Sequence, residues 1–190
     1  MSEIKYLTRK QQGKFLKAIA GSGQKMRVRD LLYFTLSLRY GLRASEGRIL
    51  EISQVKLAQN SIFIQRLKGS ISQFYPLRSD DKALIKKWLK IRGKMKHRNS
   101  KFLFITERTG SFSQPLPAKL FEKYAELAGI GGHSCHSCRH SAAVNLLDQG
   151  VDLFDIKTWL GHRNIQSTLV YLQIGSQKTQ QRMSQILQRM

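Results

Sequence analysis

Residues 136–171 read HSCRHSAAVNLLDQGVDLFDIKTWLGHRNIQSTLVY, and this stretch decides the fold. Its first part carries small and apolar residues at helical spacing over about 138–149, and Gly150 stops the run. A second helix is predicted from Asp152, a good N-cap, to Leu160, with Ile156, Trp159 and Leu160 on one face and Gly161 as its stop. A third, short helix is predicted over 165–172. Polar residues mark the ends of these helices. His136 and Arg139 are three apart and share a face if both lie at one helix start. His162 follows Arg139 by 23 residues, just past a helix-ending glycine, and Tyr171 follows His162 by nine.

Working outward, the chain is mostly helical. Leu7 to Ala20 reads as a helix ended by Gly21, Ser22 and Gly23. Arg27 to Tyr40 reads as a second, rich in Leu and aromatics (LLYFTLSLRY) and therefore largely buried. Gly41 breaks it, and GLRASEGRIL turns into another short helix. The period then changes. Short β-prone runs at about 54–58, 61–67 and 72–78 are separated by Gln59-Asn60 and by Lys68-Gly69-Ser70, both suited to hairpin turns. Ser79 is placed to cap a further helix, with Asp80 and Asp81 in its first turn and Gly93 at its end. Another runs from Pro117 to Ala128 with Gly129 as its stop. The fold class is mainly α with a small three-stranded antiparallel β-sheet (α+β). Residues 1–175 are expected to form one domain. The tail, 176–190, carries Met183, Ile186, Leu187 and Met190 at helical spacing, for packing on its own core or on a neighbouring subunit.

The charge balance is lopsided: 33 Lys and Arg against 12 Asp and Glu, a net +21 over 190 residues. Such an excess costs self-repulsion in the compact state and calls for a polyanion, nucleic acid first. A membrane is disfavoured, because no apolar run of spanning or signal-peptide length occurs. Two cysteines, Cys135 and Cys138, are too few and too close for a secreted disulfide framework. A cytoplasmic, nucleoid-associated protein with reduced thiols is expected. Residues 86–101 hold eight Lys or Arg and no acid, so Lys86, Lys87, Lys90, Arg92, Lys94, Lys96 and Arg98 are candidate phosphate contacts, although such a run also suits a solvated edge.

In order and spacing, G-L-R-A-S-E at 41–46, R-L-K-G at 66–69, H-S-C-R-H-S at 136–141, W-L-G-H-R-N at 159–164 and Tyr171 resemble the tyrosine recombinase family, the phage integrases and Xer-type enzymes. Each piece alone is weak; the shared order is the signal. Only 42 residues precede Arg43, too few for the DNA-clamping domain that most members carry. The resemblance therefore runs to the small fimbrial phase-variation invertases, which share the look of RLKGSISQFYPL followed by KKWLKIR.

The resemblance implies an enzyme that cleaves and rejoins DNA strands through a 3′-phosphotyrosine, with DNA inversion or mobile-element integration or excision as the outcome. Tyr171 would be the nucleophile, and Arg43 and Arg139 would grip the non-bridging oxygens as the phosphate gains charge. His136 would accept or relay the tyrosine proton, and His162 would hydrogen-bond the phosphate. Lys68 would protonate the leaving 5′-oxygen as general acid. Glu46 would support Arg43. The bond energy is stored in the phosphotyrosine, so no cofactor is implied, and no P-loop or Mg²⁺-type carboxylate cluster appears. Double-stranded DNA with paired sites is the implied partner, bound by a homotetramer, with accessory DNA-bending proteins as further candidates.

Two other readings compete. His133, Cys135, His136, Cys138 and His140 crowd together as zinc ligands would, but a structural zinc site needs a second, distant ligand pair, so metal is not expected. A catalytically silent DNA-binding accessory factor on the same scaffold would have no chemical reason to keep all six polar residues.

Overall fold

The computed structural model describes residues 4–172 together with Ile174, Ser184, Leu187 and Gln188. The proposed tail helix of 176–190 thus falls almost wholly outside the described residues. Among the described residues the helices are, in order, α1 (Arg9–Gly21), α2 (Arg27–Tyr40), α3 (Ala44–Ile49), α4 (Ser79–Arg92), α5 (Leu116–Leu127), α6 (Cys135–Leu147) and α7 (Leu153–Leu160). Residues 166–172 form α8. Strands β1 (Val55–Lys56), β2 (Ser61–Ile64) and β3 (Gln73–Pro76) make an antiparallel sheet in the order β1-β2-β3. Among the described residues no helix is long and apolar enough to cross a membrane.

The mainly helical, small-sheet fold class holds, and α2 is its axis. Leu32, Tyr33, Phe34, Leu36, Leu38 and Tyr40 of α2 are all buried, because α1, α4 and α6 pack around it. Aromatic rings fill the space between elements: Phe15 of α1 and Phe121 of α5 meet Phe34 or each other at 5.0–6.1 Å. Trp88 of α4 is fully buried and donates its indole N–H to the Leu103 carbonyl at 2.9 Å, satisfying the one polar atom it brings inside. A second, smaller cluster holds Ala143, Val144, Ile156, Leu160 and Tyr171, with Ile4 and Tyr6 packed against it. The N-terminal segment is pinned there by the Leu7 N–H, which donates to Ser141 Oγ at 2.8 Å.

Several boundaries differ from the sequence reading, each for a local reason. The helix read over 138–149 begins at Cys135, because Ser137 Oγ accepts the Ser134 N–H and closes a cap. Arg78, not Ser79, is the N-cap of α4, and Asp81 accepts its N–H. The strands are shorter than 54–58, 61–67 and 72–78. Beyond Ile64 the ladder stops: the Arg66 N–H goes to Ser72 Oγ, and the Ile71 N–H goes to the Gly161 carbonyl at 2.8 Å. The hairpin tip is therefore fastened to the end of α7 instead of zipping on itself.

Candidate active site

Gly41 ends α2 at φ +61°, where a Cβ would lie 2.5 Å from Leu160 Cδ2, so glycine alone fits. This sharp stop puts Arg43 at the N-cap of α3 and Glu46 at its third position. Glu46 is 2% exposed. Its carboxylate accepts from the Arg43 backbone N–H (3.0 Å), the Leu67 N–H (3.2 Å), the Arg43 guanidinium and the Arg66 guanidinium (2.9 Å), and lies 3.8 Å from Arg139. Burial alone would raise its pKa, but Arg66, the Arg43 hydrogen bonds and Arg139 outweigh burial and hold it below the usual carboxylate value.

Three guanidiniums thus surround one carboxylate, three minus one, leaving a formal charge of +2 in a pocket shielded from water. Arg139 of α6 donates to the Gly41 carbonyl and to the Leu160 carbonyl at 2.9 Å. Burial, then Arg43 and Arg66, lower its pKa to about 10, and it stays cationic at neutral pH. Arg66 spans the site. It donates to Gly41 O (3.1 Å), Tyr40 O (2.7 Å), Trp159 O (3.1 Å) and Tyr75 Oη (2.7 Å) besides Glu46. One side chain ties the end of α2, the start of α3, β3 and the end of α7 together. The sequence reading quoted Arg66 only as part of a motif. Its signal was available: Ile62 and Ile64 face inward on β2, and the same alternation sends Arg66 into the core.

His162 follows Gly161, whose αL conformation (φ +70°) ends α7. Its ring is buried, and Nδ1 is 2.8 Å from Thr168 Oγ1 of α8, which fixes the ring. Burial first, then Arg139, Arg43 and Arg66, push its pKa down to about 4, which favours the neutral ring. Tyr171 on α8 is 2% exposed, and its hydroxyl is 2.9 Å from His140 Nδ1. Burial raises its pKa to about 12 against the opposing pull of Arg139 and Arg43. Tyr171 packs in one cluster with Leu160, whose carbonyl accepts from Arg139.

Lys68 is exposed at the hairpin tip with φ +55°, followed by Gly69 at +70°, the two left-handed positions of a type I′ turn. Arg43 donates to Ser70 Oγ (3.0 Å) and Leu67 O (3.4 Å), which seats this hairpin on the arginine cluster. His136 is exposed in the first turn of α6, one turn before His140. Arg43, Arg139, His162 and Tyr171 are therefore gathered, Lys68 stands at the rim, and the ring that touches Tyr171 is His140 rather than His136. Thr168 was not singled out from sequence, and His140 was named there only among the residues of the rejected zinc reading; a histidine next to a motif arginine carries no active-site signal of its own until α8 folds onto α6.

The basic run divides. Lys86, Lys87, Lys90, Lys94, Lys96 and Arg98 are exposed. Arg92 is not a phosphate contact: it is 3% exposed and its guanidinium donates to the Arg98, Ser100 and Phe102 carbonyls. It staples the loop after α4, and burial lowers its pKa.

A helical bundle with a short three-stranded sheet, carrying arginines, histidine and a buried tyrosine in this order, is the fold of tyrosine recombinase catalytic domains. A XerH site-specific recombinase in a post-cleavage complex with a palindromic difH substrate superposes with a TM-score of 0.82, at 24% identity over 96% of this chain and 53% of that one. The XerA recombinase superposes with a TM-score of 0.78, at 23% identity over 90% and 61% of the two chains. The chain thus spans little more than half the length of these solved recombinases. It belongs to the phage integrase family, whose model matches residues 5–178. Two similar relatives are the type 1 fimbriae regulatory proteins of Escherichia coli strain K12. FimE is 30% identical over 173 residues, covering 90% of this chain and 86% of FimE. FimB is 32% identical over 173 residues, covering 87% of this chain and 82% of FimB.

Proposed function

We propose that this chain cleaves and rejoins DNA at specific paired sites through a 3′-phosphotyrosine at Tyr171, with inversion of the intervening segment as the outcome. The observation that carries the reading is the net +2 arginine cluster, joined through Arg139 to the Leu160 carbonyl, beside the buried Tyr171 that packs on Leu160 and the buried His162 that follows Gly161. A scissile phosphodiester is anionic and gains charge as it is attacked, so preorganised guanidiniums favour the transition state over the ground state. In the cleavage step the Tyr171 Oη–P bond forms and the P–O5′ bond breaks. The phenol proton goes to a base, and Lys68 gives a proton to the 5′-oxygen. Rejoining reverses each transfer.

His162, neutral and oriented by Thr168, contributes a hydrogen bond to a phosphate oxygen through Nε2. Glu46 and Arg66 position Arg43 and Arg139. Resemblance to the phase-variation invertases, with FimE and FimB at 30–32% identity, supports inversion. Lys86, Lys87, Lys90, Lys94, Lys96 and Arg98 track phosphates outside the cleft. Residues 1–175 form the catalytic domain, and 176–190 dock on a neighbouring subunit within a DNA-bound homotetramer assisted by DNA-bending proteins, in the bacterial nucleoid.

The test is covalent trapping on nicked duplexes taken from around the protein's own gene, comparing wild type with Tyr171→Phe on a denaturing gel. A denaturant-resistant adduct from wild type alone is expected. Specific DNA binding by both without an adduct from either would replace the enzyme by a silent DNA-binding factor.

A further inference from the structure

We propose that Ser70 is a positioning residue for strand cleavage: its hydroxyl, held by Arg43, registers Lys68 to the arginine that grips the scissile phosphate. The proposal rests on the reading of Lys68 as general acid and Tyr171 as nucleophile. Leu67, Lys68, Gly69 and Ser70 make a tight turn, closed by the Ser70 N–H donating to the Leu67 carbonyl at 3.2 Å. Lys68 sits in it at φ +55°, a backbone conformation that lysine rarely adopts. A residue so placed persists only where its surroundings hold it, and such strain gathers at functional sites.

Both shoulders of the turn are held. Arg43 Nη1 donates to Ser70 Oγ at 3.0 Å and to the Leu67 carbonyl at 3.4 Å, clamping the first and last residues of the turn. The Leu67 N–H donates to Glu46 at 3.2 Å, and just past the turn the Ile71 N–H donates to the Gly161 carbonyl at 2.8 Å. Among the described residues, Ser70 Oγ is the one side-chain group of the turn in this set; the other bonds use backbone. The clamp leaves part of Arg43 for substrate. Nη1 also donates to Glu46, while Nε and Nη2 make no hydrogen bond among the described residues, and the side chain is 17% exposed. Those donors are left for a phosphate oxygen. One guanidinium therefore serves the phosphate with one edge and the turn bearing Lys68 with the other. As Tyr171 Oη bonds to phosphorus and P–O5′ breaks, the electron pair passes to the 5′-oxygen, and the Lys68 ammonium gives that oxygen its proton. Without the Ser70 acceptor, Arg43 keeps only its long contact to Leu67, and Lys68 spends less time where the proton is needed.

Single-turnover adduct formation tests this on two nicked duplexes, one natural and one with sulfur in place of the scissile 5′-bridging oxygen. A thiol, with a pKa of about 8.5, leaves as thiolate without a proton donor, so the sulfur duplex reads the nucleophile and the phosphate grip alone. On the natural duplex Ser70→Ala is expected to slow cleavage about 10-fold or more with Tm and DNA affinity kept, and Ser70→Thr to restore the rate. On the sulfur duplex Ser70→Ala should stay within about twofold of wild type, since no acid is needed there. Lys68→Ala marks complete loss of the acid, about 100-fold or more on the natural duplex. Ser70→Ala at the wild-type rate on the natural duplex overturns the proposal. Equal slowing on both duplexes also overturns it, because the hydroxyl then serves the phosphate grip and not the acid. Lys68→Ala as fast as wild type on the natural duplex refutes the general acid itself, and wild type that binds DNA without forming an adduct refutes the nucleophile; each is distinct from a failure of Ser70 alone.

Discussion

Replacing Arg66 with methionine, which has similar reach and no donors, isolates the side chain that ties the site together. Its guanidinium satisfies the Tyr40, Gly41 and Trp159 carbonyls, the Tyr75 hydroxyl and Glu46. Some of these have second partners. Gly41 O keeps Arg139, Trp159 O keeps Tyr75 Oη at 2.6 Å, and Glu46 keeps Arg43 and the Leu67 N–H. The Tyr40 carbonyl loses its Arg66 donor, a loss of about 1–3 kcal/mol. Breaking a buried ion pair from one side costs about 3–5 kcal/mol, trimmed here because Glu46 retains Arg43. Together these give roughly 4 kcal/mol, which for a chain of this length lowers Tm by roughly 10 °C. Thermal unfolding followed by circular dichroism measures it. The Glu46→Gln/Arg66→Met double variant should lose at least ~1 kcal/mol less than the sum of the singles, because the second change removes a charge already robbed of its partner. An Arg66→Met protein melting within about 2 °C of wild type, or strict additivity in the cycle, would refute the view of Glu46 and Arg66 as one unit.

Further outcomes follow from the same contacts. The pKa of Glu46 is held below its ordinary 4.5, so its stabilisation is complete above that pH and is lost as pH falls through the folded value; wild-type Tm should drop steeply on acidification, and Glu46→Gln, already less stable at neutral pH, should lack that component. Gly161→Ala forces a side chain onto φ +70° and sets a Cβ 2.5 Å from the Ile71 carbonyl, so beyond a strain of roughly 1–2 kcal/mol it should unseat the Lys68 hairpin and slow adduct formation more than it weakens DNA binding. Arg92→Ala should lower Tm by several degrees through lost carbonyl hydrogen bonds. Lys94→Ala or Lys96→Ala should instead leave Tm within about 1 °C and flatten the salt dependence of DNA binding by roughly one unit each.

Much of this protein is legible in one dimension because local physics suffices. Glycines at 41, 93, 129, 150 and 161 punctuate the helices, and the Leu- and aromatic-rich run of α2 declares itself buried. The family resemblance, carried by motif order and spacing, brings Arg43, Lys68, His136, Arg139, His162 and Tyr171 forward together as candidates. The strand ends were misread because Ile71 bonds to Gly161, ninety residues away, rather than to its hairpin partner. Arg92 was misread for a related reason: a basic run looks uniform in sequence, while a helix turns one member of it inward to the carbonyls of its own loop.

What the sequence alone determined is the class of fold and the charge that demands a polyanion, properties of periodicity and composition; the order of its motifs carries the resemblance from which the residues that attack and grip a phosphate are proposed. What only the tertiary structure decided is which groups meet. Glu46 is shared among three arginines drawn from α3, β2's extension and α6, and Tyr171 rests on His140 rather than His136. Those pairings depend on how helices pack across long separations, where burial raises or lowers each proton affinity and a few ångströms select one histidine over its neighbour one turn away.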